Sequence, residues 1–210
     1  MNGMPACVSI IDDDGLVLRS LDRLLRSLGF AVDTFATPRD FLDQPASDAP
    51  GCIIMDLSMP GLSGLELQQA LSRTGDPRPV VFISGAASVP ASVAAMKAGA
   101  VDFLTKPLDH DRLLGAVRSA IEQDRASRDR RVNSAALAER LTSLTPRERE
   151  VLERVVAGRL NKQIASELGT AEKTIKVHRA RMMQKMQVDS VAELVRLWTA
   201  FRQPGTGTPS

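Results

Sequence analysis

The chain has 210 residues, of which 43% are hydrophobic and 25% charged, with a net charge of +2. This is close to the globular average and excludes disorder over most of the length. No apolar run approaches the ~20 residues that a membrane span needs, which excludes a transmembrane protein. The opening Met1-Asn2-Gly3-Met4-Pro5 lacks a basic region followed by an apolar stretch, so no secretory signal is expected and the protein reads as cytoplasmic. Two cysteines (Cys7, Cys52) and two distant histidines (His110, His178) lie in no zinc-ligand spacing, and both thiols are expected to be buried and reduced. Charge divides the chain: residues 1–120 hold 10 basic against 14 acidic groups, and residues 132–210 hold 13 against 8. An acidic first part and a basic second part point to two jobs, the second compatible with nucleic acid.

In chain order, Val8–Ile11 is an apolar strand that runs into three aspartates, and Leu16–Leu28 is a helix striped by Leu18, Leu21, Leu25 and Leu28. Ala31–Phe35 is a second strand, followed by a helix that Thr37 caps and Pro38 opens. Cys52–Met55 is a third strand ending at Asp56, and Ser63-Gly64-Leu65-Glu66 is a capping box for the next helix. Val80–Ile83 is a fourth strand ending at Ser84; a helix follows over about Ser92–Ala98. Ala100–Thr105 is a fifth strand, then Lys106-Pro107 and a helix from about Asp111. Five apolar strands alternating with five helices imply a parallel sheet covered on both faces, with its site beyond the C-terminal strand ends.

Those ends carry Asp12 and Asp13, Asp56, Ser84 and Lys106. Clustered carboxylates raise one another's pKa unless a cation is present. Oxygen ligands of this kind suit Mg²⁺. A carboxylate beside Mg²⁺ and an ammonium can act as a nucleophile toward a phosphoryl group, whose oxygens those two cations neutralise.

The pieces Ile11-Asp12-Asp13-Asp14, Met55-Asp56-Leu57-Ser58-Met59-Pro60-Gly61, Ile83-Ser84-Gly85, Met96 to Phe103 and Lys106-Pro107 resemble the receiver domain of bacterial response regulators over residues 6–120. The resemblance implies a five-stranded doubly wound sheet of order 2-1-3-4-5, with Asp56 the phosphoacceptor charged by a sensor histidine kinase. It implies Mg²⁺ held by Asp12, Asp13, Asp56 and the backbone carbonyl of Ser58. Lys106 would grip a phosphoryl oxygen, Ser84 would bond the phosphoryl group, and Phe103 would swing inward behind it. The Lys106-Pro107 bond is cis in such domains. Dimerisation on phosphorylation would use the fourth helix and fifth strand, with Lys97 and Asp102 as polar contacts on that face. Where relatives with this signature often have Gly-His-Gly-Asp, this chain has Gly85-Ala86-Ala87-Ser88.

Residues 121–137 read as a charged linker, open to being a helical extension of what precedes it. Beyond it, Thr145-Pro146-Arg147-Glu148 combines a cap, a first-turn proline and a capping Glu. Asn161 is expected to cap a short helix Lys162–Leu168, which Gly169 stops. A third helix spans roughly Lys173–Met186 with Ile175, Met182 and Met186 facing the bundle, and a fourth runs over Val191–Phe201. Two short helices on a glycine turn, the second basic, are a helix-turn-helix signal. Leu144 to Leu152, Asn161-Lys162-Gln163-Ile164-Ala165 and Lys173 to His178 resemble the LuxR-type domain over residues 138–203. This implies a four-helix all-α domain in which Lys176 and Val177 meet base edges of double-stranded operator DNA. Lys162 and Thr174 would meet phosphates, and Arg181 would join that surface. Ala171 stands where relatives usually have a capping Ser, leaving Thr170 as the nearest cap. The tail 204–210 reads as disordered.

A receiver followed by this output domain resembles the FixJ/NarL class, nearest the FixJ branch. The class implies a non-enzymatic transcription factor whose partners are the kinase, DNA, RNA polymerase and, once phosphorylated, a second copy. Two other readings are a phosphotransfer sink and a Mg²⁺-dependent phosphohydrolase. The intact Asn161–His178 segment speaks against the first, and no histidine near the carboxylates serves the second.

Overall fold

A computed structural model describes residues 5–45, 49–85 and 89–202. Met1–Met4, the Ala86-Ala87-Ser88 departure and the tail from Gln203 lie outside the described residues. The chain divides into two units, Met1–Asp129 and Arg130–Ser210.

The first unit holds β1 (Cys7–Ile11), α1 (Gly15–Ser27), β2 (Ala31–Phe35), α2 (Pro38–Leu42), β3 (Gly51–Asp56), α3 (Gly64–Thr74), β4 (Val80–Ser84), α4 (Val89–Lys97) and β5 (Asp102–Thr105), and α5 starts at His110. The strands form one parallel sheet in the order β2-β1-β3-β4-β5. Side chains alternate across it, so the two faces build separate cores. Val8, Ile10, Cys52, Ile54, Val81 and Ile83 pack against Leu21 and Leu25 of α1 and Leu113, Val117 and Ile121 of α5. Ile53, Met55, Val80 and Phe82 pack on the other face against Phe41, Leu67, Leu71 and Ala95. Each such fully buried side chain contributes about 1.5–3 kcal/mol of transfer free energy.

Element ends differ from the sequence expectation where a cap decides them. α1 starts one residue earlier because Asp14 is its cap, with Oδ1 accepting from the Leu16 amide at 2.7 Å. α4 begins at Val89 rather than near Ser92, and β5 is shorter by two residues. The largest difference is α5, which runs unbroken from His110 to Thr142. Residues 121–137 are therefore helical, and the division between units falls within this helix.

The second unit adds α6 (Pro146–Val156), α7 (Asn161–Glu167), α8 (Glu172–Met186) and α9 (Val191–Arg202). Its core gathers Leu137 and Leu141 from the end of α5 with Val151, Leu152, Val155, Ile164, Ile175, Met182, Met186 and Leu194. Thr145 and Glu148 form the expected capping box. Asn161 is not a cap: it is the first residue of α7, and its Oδ1 accepts from Arg179 Nη1 at 2.9 Å. The start of α7 is closed instead by Gln163, whose Oε1 accepts from the Leu160 amide. Ala171 stands at the cap position of α8 with no side-chain hydrogen bond, so Thr170 does not replace the missing Ser. α8 ends on Gln187 in the left-handed region (φ 55°).

Candidate functional site

Three strand ends meet at Lys106. Its Nζ lies 2.7 Å from Asp12 Oδ2 and 2.9 Å from Asp56 Oδ1. The other oxygens are also held: Asp12 Oδ1 accepts from the Asp14 amide at 2.8 Å, and Asp56 Oδ2 from the Ser58 amide at 2.7 Å. Asp12, Asp56 and, at the end of β4, Ser84 are buried. The Ser84 carbonyl accepts from the Lys106 amide at 2.8 Å, which ties the fourth and fifth strand ends together. The Lys106-Pro107 peptide is cis.

Burial lifts the Asp12 carboxyl above its ordinary range, even against the Lys106 hydrogen bond that lowers it. Burial also disfavours the Lys106 ammonium, but its hydrogen bonds to Asp12 and Asp56 outweigh that and carry its pKa above the ordinary lysine value. The pocket thus holds one cation shared by two carboxylates.

Asp13 is exposed. Among the described residues no three His, Cys, Asp or Glu side chains stand together as an ion cage. Mg²⁺ asks for less than a cage: it binds through one or two carboxylates and keeps several waters. Two hard-oxygen carboxylates at one mostly buried point fit that demand. Ser58 turns its amide to Asp56 here.

Gly64 completes the wall. A Cβ there would sit 2.6 Å from the Asp56 carbonyl oxygen and 2.9 Å from Phe82 Cε1. Only glycine lets the start of α3 approach the end of β3 this closely. The capping box of Ser63 and Glu66 holds that start in place.

Phe103 is half-buried against the core that contains Phe82. Asp102 Oδ1 accepts from the Phe103 amide at 2.7 Å. Lys97, the last residue of α4, is exposed. Beside it Val89, Val93 and Met96 are exposed at helical spacing, an apolar stripe that the sequence pattern alone does not reveal.

On α8, Ile175, Met182 and Met186 are buried, whereas Lys173, Thr174, Lys176, Val177 and Arg181 are exposed. Lys162, near the start of α7, is exposed as well. Lys176 Nζ lies 3.3 Å from Glu172 Oε1, an exposed pair of little energetic weight. Other cations of this unit serve its fold. Lys185 pairs with the buried Glu148 at 2.7 Å, and Arg147 Nη2 donates to the Leu168 carbonyl. Arg154 pairs with Glu167 at 3.0 Å. What remains is a basic surface on α7 and α8 made of Lys162, Lys173, Lys176 and Arg181.

The description "Response regulator receiver domain" matches residues 8–118, and "Bacterial regulatory proteins, luxR family" matches residues 142–198. The chain is 43% identical over 197 residues to the response regulator protein TodT of Pseudomonas putida, covering 94% of this chain and 87% of that one. It is 43% identical over 190 residues to the transcriptional regulatory protein FixJ of Bradyrhizobium diazoefficiens (90% and 93%). Among solved structures, the response regulator StyR superposes with a TM-score of 0.83 at 43% identity over 93% of this chain and 98% of that one. Full-length FixJ from B. japonicum gives 0.58 at 41% identity, covering 95% and 98%.

Fold, site and relatives together define a class, the two-component response regulators. The chain belongs to the branch of that family that joins a receiver domain to a LuxR-type helix-turn-helix domain, the branch of FixJ and TodT. Its relatives are transcription regulators, and among the described residues no helix is long and apolar enough to cross a membrane.

Proposed function

We propose that Asp56 accepts a phosphoryl group from a sensor histidine kinase in the cytoplasm and that this controls DNA binding through α8. The observation that carries the reading is the single ammonium of Lys106 held between Asp12 and Asp56. An Asp56 carboxylate oxygen attacks phosphorus through a remaining lone pair, the bond from phosphorus to the donor breaks, and the donor leaves with its electron pair. Lys106 stays beside the site and meets the new charge on a phosphoryl oxygen. Ser84 supplies a hydroxyl at the end of β4, and the Ser58 amide orients Asp56. Mg²⁺, when bound by Asp12, Asp13, Asp56 and the Ser58 carbonyl, supplies further charge neutralisation at the phosphoryl oxygens. The chain has no turnover of its own in this reading; it is a switch rather than an enzyme.

We assign residues 6–120 to the receiver, 121–137 to the linker and 138–203 to the DNA-binding domain. Phosphorylation favours a homodimer through the α4–β5 face, with Lys97 and Asp102 at its polar edge and Val93 and Met96 as its apolar part. Lys176 and Val177 read bases of the operator, Lys162, Thr174 and Arg181 hold its backbone, and RNA polymerase is the downstream partner.

Labelling with radioactive acetyl phosphate in the presence of Mg²⁺ tests the assignment. The wild-type chain takes up an acid-stable, base-labile label, and Asp56→Asn takes up none. An equally rapid label on the Asn variant would move the site elsewhere.

A further inference from the structure

Between Ile121 and Leu137 the helix α5 is polar almost all round. Val132 is 68% exposed, and among the described residues of this stretch Asp124 alone is buried. A helix without an apolar face has little to hold it in water. Yet α5 is continuous here, and Asp124 is its one buried anchor among the described residues between Ile121 and Leu137.

Asp124 reaches a particular orphan. β4 pairs with β3 only from Ile53 onward, where the Ile53 amide donates to Pro79. Gly51 lies two residues earlier, so its amide points to the same side, beyond the start of β4, with no strand to receive it. Asp124 Oδ2 accepts from that amide at 2.9 Å across 73 residues of sequence. The same oxygen accepts from Arg128 Nε at 2.7 Å, one helical turn on. Asp124 Oδ1 is buried without a hydrogen-bond partner. Gly51 is fitted to this place: a Cβ there would sit 2.1 Å from the Cys7 carbonyl oxygen. β3 ends, at its opposite terminus, on Asp56.

We propose that Asp124 and Arg128 form a latch on the first residue of β3, and that the latch decides whether residues 123–136 are helix or a flexible tether. Closed, it makes the linker a continuous part of α5. Open, it leaves a polar, arginine-rich segment without its buried anchor. The buried carboxylate is the sensitive element, because a charge out of water must keep its partner.

Hydrogen exchange of the full-length protein, read by mass spectrometry, tests this with Asp124→Asn and Arg128→Gln. Peptides covering residues 123–136 should exchange roughly tenfold faster in each variant, while β1, β3 and the first turns of α5 keep wild-type protection. Trypsin should cut faster at Arg125, Arg130 and Arg131 in parallel. Unchanged exchange over 123–136 would overturn the proposal. So would a rise shared equally by the sheet, since Asp124 would then serve only the stability of the receiver. If Asp124→Asn does not fold, the partly exposed Arg128 gives the variant on which the same two outcomes decide.

Discussion

The two units place their proposed functional groups in opposite ways. The receiver hides them: Asp12, Asp56 and Ser84 are buried at strand ends, and Lys106 is drawn in by two carboxylates. The second unit displays them: Lys162, Lys176, Val177 and Arg181 are exposed on α7 and α8. A buried charge is expensive unless paired, so a buried cluster leaves few chemical interpretations. An exposed lysine costs little anywhere on a surface, so its position alone says little about its role. The receiver site is therefore defined by its own geometry, whereas the proposed DNA-binding face is defined by subtracting the cations that the fold already uses.

That subtraction can be broken most severely at Lys185. If it is structural, Lys185→Ala leaves Glu148 buried beside Thr145 alone and destabilises the second unit by about 2–3 kcal/mol. Urea unfolding should show the loss in the second unit's transition and not in the receiver's. pH sharpens the same test. Burial disfavours the Glu148 carboxylate, but the Lys185 and Thr145 hydrogen bonds outweigh it and hold the group below the ordinary range. Its folded value is thus depressed, so its stabilisation is present above the ordinary carboxylate range and is lost as pH falls through the folded value. In Lys185→Ala that acid-side loss should shrink.

The exposed cations should behave differently. Lys176→Ala should cost roughly 1–3 kcal/mol of DNA binding and relax base preference. Lys162→Ala should weaken all sequences alike and lower the salt slope by about one. Neither should change the unfolding free energy by more than about 0.5 kcal/mol. Titrations on matched and scrambled sites at several salt concentrations separate the two. Full discrimination by Lys176→Ala would remove the recognition face from this part of α8.

Much of the fold was legible because local signals agreed. The alternation of apolar strands with capped helices sets the parallel sheet, and strand ends in such a sheet must share an edge. The meeting of Asp12, Asp56 and Lys106 follows from that edge. Asp124 was not legible. It sits in a run of charges that reads as solvated, and its burial depends on Gly51, 73 positions away. Asn161 departs from expectation for a related reason: its residue type favours a helix cap, but Arg179, 18 positions on, claims its oxygen. The exposed stripe Val89, Val93 and Met96 has helical spacing, but spacing cannot say which face of a helix is left uncovered.

The smallest effect expected is at Gln187, held in the left-handed region at the end of α8 with its amide on the Gln184 and Met183 carbonyls. Gln187→Gly should stabilise the second unit by about 1 kcal/mol, read as a raised thermal midpoint, because glycine adopts that conformation without a Cβ clash. It should leave phosphorylation of the receiver untouched.

The central claim is that the hidden site governs the displayed one. The direct measurement is the affinity of the full-length protein for genomic fragments that it selects, with and without acetyl phosphate and Mg²⁺, in wild type and Asp56→Asn. A coupling of 1–3 kcal/mol is the usual scale, so wild-type affinity should rise roughly 5- to 150-fold on phosphorylation while Asp56→Asn stays at the unphosphorylated value. Equal affinity of labelled and unlabelled wild type, or an undiminished response in Asp56→Asn, would contradict the account.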